Sequence, residues 1–440
     1  MIKNQKFTAT ATDYTYDGLS VIKYDTFCVF VKDMIKGEEG QIVVTSVKKD
    51  YGYGKLLSLI KQSDQRVEPV CPISKICGGC QLQHMSAKEQ ASFKQGIVQN
   101  DISRIAKLDN QVNPIISMTI PYGYRNKVML PVGKDKEDNT QIGFYRYNSH
   151  EIIPVENCAL QSEKSNRLIN KLKQLIDQYN LADQIRHLMI RDMHSTSEMM
   201  LVIVTYKDKC DLKQLVKDIV EFEPSIKSVI QNVNGKDTNV VLGDKEITLY
   251  GKEYIEDILC GLRFRISSHS FYQVNSRQTE VLYSKVVEMA HLNKEDTVLD
   301  LYCGVGTIGM IASKHCKKVY GVEIVADAVE DGKINASING IKNVELLCGD
   351  AKDITSQLLQ QGIMFDCMFI DPPRKGCSKE AINTIVSSAS KKLVYISCNP
   401  STLARDLQML KEYYDVVEIQ PVDMFPNTYH TETIALLVRK

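Results

Sequence analysis

At 440 residues, with 43% hydrophobic and 25% charged residues, the chain has the composition of a globular protein and exceeds what one core usually organises, so two or three domains are expected. Lys plus Arg and Asp plus Glu number 54 each; a net charge of zero argues against a general polyanion binder and leaves any nucleic-acid surface to local asymmetry. No stretch is apolar over the roughly eighteen residues of a membrane span, and the start, MIKNQKFTAT, lacks the apolar core of a secretory signal, which gives a cytoplasmic expectation.

Residues 1–60 read as a small all-β module. Short β-branched runs (28–31, 41–45 and 56–60) alternate with Gly-bearing turns, the spacing of a barrel of the oligonucleotide-binding type. A cysteine knot follows, Cys71-Pro-Ile-Ser-Lys-Ile-Cys77-Gly-Gly-Cys80. In a chain with 13 cysteines and no export signal, metal binding or catalysis is a better default than a disulfide framework. From the residues alone, zinc and an iron–sulfur cluster suit this knot equally. The span 61–265 mixes helical and strand patterns, with an alternating run over 198–205 that predicts an antiparallel strand. Within it, Tyr122-Gly-Tyr-Arg125-Asn-Lys127 combines cations and aromatics without an acid, making Arg125 and Lys127 candidate RNA phosphate contacts.

From about 266 to 440 the grammar becomes strand, glycine turn, helix, repeated, which predicts a doubly wound α/β sheet. Thr297-Val-Leu-Asp-Leu-Tyr302-Cys-Gly304-Val-Gly306 runs a strand into a tight turn, and a second strand ends in Glu323, placed to meet ribose hydroxyls. The turn alone is ambiguous between a dinucleotide and S-adenosylmethionine. A further strand ends in Asp371-Pro-Pro-Arg374, whose consecutive prolines make a rigid edge beside such a pocket.

The strand Leu393-Val-Tyr-Ile-Ser397 delivers Cys398 at its carboxyl end, where ligands sit in such sheets, although a free cysteine there is as often a buried small hydrophobe. Carbon 5 of uracil is a poor nucleophile until a thiolate adds to carbon 6, and a base must then remove the carbon-5 proton. Glu432, in Tyr429-His430-Thr-Glu432, offers that base on a Pro-bearing segment.

These motifs, in this order, closely resemble the bacterial RNA uracil-5-methyltransferases over essentially the whole chain, most specifically over 270–440. The resemblance implies a Rossmann-like methyltransferase domain at 266–440 that binds S-adenosylmethionine through Gln273, Tyr302, Glu323 and Asp371, with Cys398 as nucleophile and Glu432 as base. It further implies that 1–60 is a TRAM domain, that 61–265 is a central RNA-binding α+β domain, and that Cys71, Cys77, Cys80 and Cys158 hold a [4Fe–4S] cluster. The barrel and the cysteines together resemble the branch that methylates 23S ribosomal RNA. A cytosine-5-methyltransferase uses similar addition chemistry, but its nucleophile typically follows a proline, whereas here the order is Cys398-Asn-Pro400.

Overall fold

The computed structural model describes residues 1–440 and places their strands in four sheets. The first sheet has six strands: Lys6–Thr10, Asp13–Tyr14, Ser20–Tyr24, Phe27–Lys32, Glu39–Val47 and Tyr51–Lys61. Its interior is a small core that includes Ile22, Val29, Val31 and Ile42. Phe27–Lys32 runs parallel to Tyr51–Lys61 with Phe30 opposite Tyr53 and Lys32 opposite Lys55. Strand alternation sends Val29 and Val31 inward and Phe30 to the other face, where it meets the half-exposed rings of Tyr51 and Tyr53 at 5.5 and 5.9 Å.

Past the cysteine loop, Ser86 caps the helix Ala87–Asp101 by accepting the Glu89 N–H. This helix and the following turn, Ile102–Ala106, put Val98, Ile102 and Ala106 into the core beneath the carboxyl-terminal sheet. The central sheet has seven strands, in the order Lys245–Gly251, Ile226–Val233, Met199–Thr205, Ile185–Asp192, Lys127–Lys134, Thr140–Tyr145, Ile152–Pro154.

Met199–Thr205 departs from the expected antiparallel strand on one of its sides. It pairs antiparallel with Ile185–Asp192 but parallel with Ile226–Val233, and all its residues are buried. Met199, Leu201 and Ile203 pack under the helices Glu163–Gln178 and Lys213–Phe222, while Met200, Val202 and Val204 join a core shared with the carboxyl-terminal sheet. A strand covered on both faces reads as a continuous apolar run.

The carboxyl-terminal sheet is the expected doubly wound one. Its strands are β1 (Thr297–Leu301), β2 (Lys318–Glu323), β3 (Val344–Cys348), β4 (Cys367–Ile370), β5 (Lys392–Ser397), β6 (Tyr414–Val422) and β7 (Glu432–Arg439), ordered β3-β2-β1-β4-β5-β7-β6. β1 to β5 are parallel, and β7 runs antiparallel to β5 and β6. The chain therefore winds away in both directions from the gap between β1 and β4, the switch point at which ligands sit in such folds. No helix is long and apolar enough to cross a membrane.

Candidate active site

The register of two strands brings the proposed nucleophile and base together. Ser397 on β5 pairs with Thr433 on β7, so one step further Cys398 lies across from Glu432. Glu432 is 4% exposed; burial first, and Asp371 second, push its carboxyl up to about 8. Burial, Glu432 and Asp371 likewise push the Cys398 thiol up to about 11, against the pull of the Arg374 guanidinium. Asp371 continues β4, and burial alone raises it to about 7.

Beside this pair, the turn after β1 carries Tyr302, Gly304 and Gly306 at φ of +62°, +55° and +76°. Glycine reaches this region freely, while Tyr302 does so at a conformational cost. Glu323 braces the turn by accepting the Gly304 N–H at 3.1 Å, and its other oxygen accepts the N–H groups of Ile324 at 2.9 Å and Val325 at 3.0 Å. Asp300, within β1, accepts the Gly309 N–H at 3.0 Å, and burial, reinforced by Asp371 and Glu323, raises it to about 7. Gly309 therefore serves close packing, since a Cβ there would lie 2.9 Å from the Asp300 carboxylate.

The Gln273 carbonyl accepts from the Asn126 side chain at 2.9 Å. Tyr283, buried on the helix Ser276–Ala290, faces Asp371 and Glu432, and burial with those charges raises its hydroxyl. Sequence reasoning missed Tyr283, because nothing in its helical context marks it.

The segment leading to Glu432 is fixed by distant parts of the chain. The fully buried Lys94 ammonium donates to Asp423 at 2.5 Å and to the Phe425 carbonyl at 3.0 Å. Gln90 accepts the Asn427 N–H at 2.8 Å and donates to its side chain at 3.2 Å. The Tyr124 hydroxyl donates to the Pro426 carbonyl at 3.0 Å, and the Asn275 side chain to that of Met424 at 2.8 Å. The His430 ring packs 4.2 Å from Tyr429; burial, then Arg374, Lys94 and Arg125, push it down to about 4.

Cys71, Cys77, Cys80 and Cys158 line one small cavity of about 40 Å³, walled by Ile73, Phe144, Val155 and Leu160 and bordered by Arg125. Nowhere do three His, Cys, Asp or Glu side chains converge closely enough to share a single metal ion. Arg125 borders this cavity on one side and an open groove on the other. Lys127 starts a strand beside Arg191, and burial first, then that like charge, lowers its ammonium to about 8. Arg191, fully buried, donates to the carbonyls of Ser268 at 3.2 Å and Ser270 at 2.6 Å.

A family model described as tRNA (uracil-5-)-methyltransferase matches residues 100–440. An uncharacterized RNA methyltransferase of Clostridium acetobutylicum is 45% identical, with 99% of this chain and 98% of the relative covered. Another from Staphylococcus aureus is 42% identical, with 99% and 98% covered. The solved structure of Pyrococcus abyssi tRNA (uracil-54, C5)-methyltransferase in complex with S-adenosyl-L-homocysteine superposes with a TM-score of 0.79 at 28% identity, covering 98% of this chain and 100% of that one. The chain therefore belongs to the uracil-5-methyltransferase family.

Proposed function

We propose that this protein methylates carbon 5 of a uridine in RNA, using S-adenosylmethionine, Cys398 and Glu432. The observation that carries the reading is the register of β5 and β7, which sets a thiol opposite a buried carboxyl at the ligand-binding edge of the sheet. The site also suits a cationic cofactor, because the buried Asp300 and Glu432 stand with the half-buried Asp371 and none of the three carboxyls forms an ion pair. When bound between Gln273, Tyr302, Glu323 and Asp371, S-adenosylmethionine supplies the electrophilic methyl group.

The chain's own residues do the rest. The Cys398 thiol gives its proton to water and its thiolate sulfur bonds carbon 6 of the uracil, so the pyrimidine double bond's electrons move to carbon 5 as an enolate and make it a nucleophile. After carbon 5 is methylated, the Glu432 carboxylate takes its proton, the double bond returns, and the carbon–sulfur bond breaks to release the Cys398 thiolate. Tyr283, buried beside Asp371 and Glu432, shields these acids from water. Arg125 contacts RNA phosphate at the entrance, and the half-enclosed Lys127 is the weaker candidate for that role. The target base reaches this closed pocket by flipping out of its stack.

The four cysteines are proposed as ligands of a [4Fe–4S] cluster. The support is that all four thiols line one predominantly apolar cavity, the donor set such a cluster takes. Residues 1–60, 61–265 and 266–440 act as RNA-gripping barrel, central RNA-binding unit and catalytic unit, with 23S ribosomal RNA as the substrate on the strength of the barrel and cysteine segments. Transfer RNA is the second reading, because the tRNA enzyme of P. abyssi aligns over 98% of this chain and the extra segments are no bar to a tRNA substrate.

Labelled S-adenosylmethionine, unmodified 23S rRNA and unmodified tRNA decide between them, with mass-spectrometric mapping of the product. 5-Methyluridine in 23S rRNA is expected; methylation of tRNA alone would replace the substrate and keep the chemistry. Glu432→Gln should accumulate a covalent RNA adduct and Cys398→Ala none; an adduct persisting in Cys398→Ala would refute the nucleophile assignment.

A further inference from the structure

An open groove of about 500 Å³ lies between the amino-terminal sheet, the cysteine loop and the segment that ends in Glu432. That volume falls in the range of roughly 300–1,000 Å³ typical of small-ligand sites. The chemistry at Cys398 does not use it. Tyr16 comes from the turn after Asp13–Tyr14, Lys32 closes the strand Phe27–Lys32, and Tyr147 sits on the turn between Thr140–Tyr145 and Ile152–Pro154. Arg125, Tyr429 and His430 complete the wall.

Its wall combines exposed tyrosine rings with cations, Lys32 covering one face of Tyr147 and leaving the other side of the ring for a ligand. Tyr16 is 66% exposed and Tyr147 48%, although both stand at a junction of three parts of the fold. The Lys32 ammonium lies 5.2 Å from the Tyr147 ring centre, and Tyr16 meets Tyr429 edge-on at 6.3 Å. Asp17 is the sole acid in the lining, against Lys32 and Arg125. One end of the groove adjoins His430, two residues before Glu432; at the other, Lys32 leads onto the sheet face that carries Phe30, Tyr51 and Tyr53.

Free aromatic faces beside cations suit unpaired nucleotides, whose bases stack while their phosphates are neutralised. A duplex presents only base edges and could not use them. Resting on the RNA substrate proposed above, we propose that this groove is a second RNA subsite. It takes unpaired nucleotides flanking the target uridine, with bases on Tyr16 and Tyr147 and phosphates against Lys32 and Arg125. The subsite holds the strand on one side of the flipped base and so selects for an unstructured flank.

The test uses the full chain with S-adenosylhomocysteine and whichever RNA the wild type methylates, in intact form and with abasic sites flanking the target. Tyr16→Ala and Tyr147→Ala should each raise the Kd for intact RNA by roughly tenfold, the scale of one lost base–aromatic stack. The abasic RNA should weaken the wild type by a similar factor and the variants by much less. Both rings are solvent-exposed, so the variants should melt with the wild type. Wild-type Kd values in both variants, or an equal abasic penalty in wild type and variants, would overturn the subsite. Absence of any methyl transfer by the wild type would instead overturn the RNA reading, which separates the two failures.

Discussion

Glu432, Asp371 and Asp300 keep their protons to about 8, 7 and 7 in the folded chain, against ordinary values of 4.5 for Glu and 3.8 for Asp. Between those limits the folded protein binds more protons than the unfolded one, so stability falls as pH rises through the window. Melting the ligand-free protein from about pH 5 to about pH 8 should show a falling Tm, and Asp371→Asn with Glu432→Gln should flatten the slope. A flat wild-type profile would contradict protonated carboxyls in this pocket. With Glu432 as the proposed base, turnover should move the other way: it accepts the carbon-5 proton only as a carboxylate, so kcat measured over the same range should rise with pH. Gly309→Ala tests the packing around Asp300. A methyl 2.9 Å from its carboxylate forces β1 or the following helix to shift, and S-adenosylhomocysteine affinity by calorimetry should drop by about tenfold or more.

Among elements, the helix Ala87–Asp101 anchors the segment that leads to Glu432, through Lys94 on Asp423 and Gln90 on Asn427. Lys94→Met leaves Asp423 as a buried, unpaired charge and should cost about 3–5 kcal/mol in chemical denaturation. Adding Asp423→Leu should recover most of that loss; a double variant as unstable as the single one would show that the ion pair is not the cause. Cys398 and Glu432 could be singled out in the sequence, the first at the carboxyl end of an apolar strand and the second on a Pro-bearing segment just before one. Asp371 was legible from the two prolines behind it. Lys94, Gln90 and Tyr283 were not, since each lies in a helix whose local pattern is unremarkable and takes its meaning from segments up to about 340 positions away, as Gln90 with Asn427 at a separation of 337. The run 198–205 is a strand as its pattern suggests, but the pattern does not show that it pairs parallel on one side or that both faces are covered.

At the scale of the molecule, the amino-terminal sheet and the helix that follows it have different jobs, although they are consecutive in the chain. A protein beginning at Ser63 should keep S-adenosylhomocysteine binding and lose RNA affinity by about tenfold or more, as phosphate and stacking contacts go. One beginning at Ile102 should lose both, because the anchors on Asp423 and Asn427 go with the helix; calorimetry of the two truncations checks this. The sheet order carries a kinetic consequence. β7 is the last of the seven strands in sequence, yet it occupies the slot between β5 and β6. Until it inserts, β5 offers an open hydrogen-bonding edge, Cys398 stands without its partner, and the half of the sheet that holds Tyr302 and Glu323 can already be complete. During refolding from denaturant, nucleoside binding should therefore return before methyl transfer, with the delay set by the entry of a single strand.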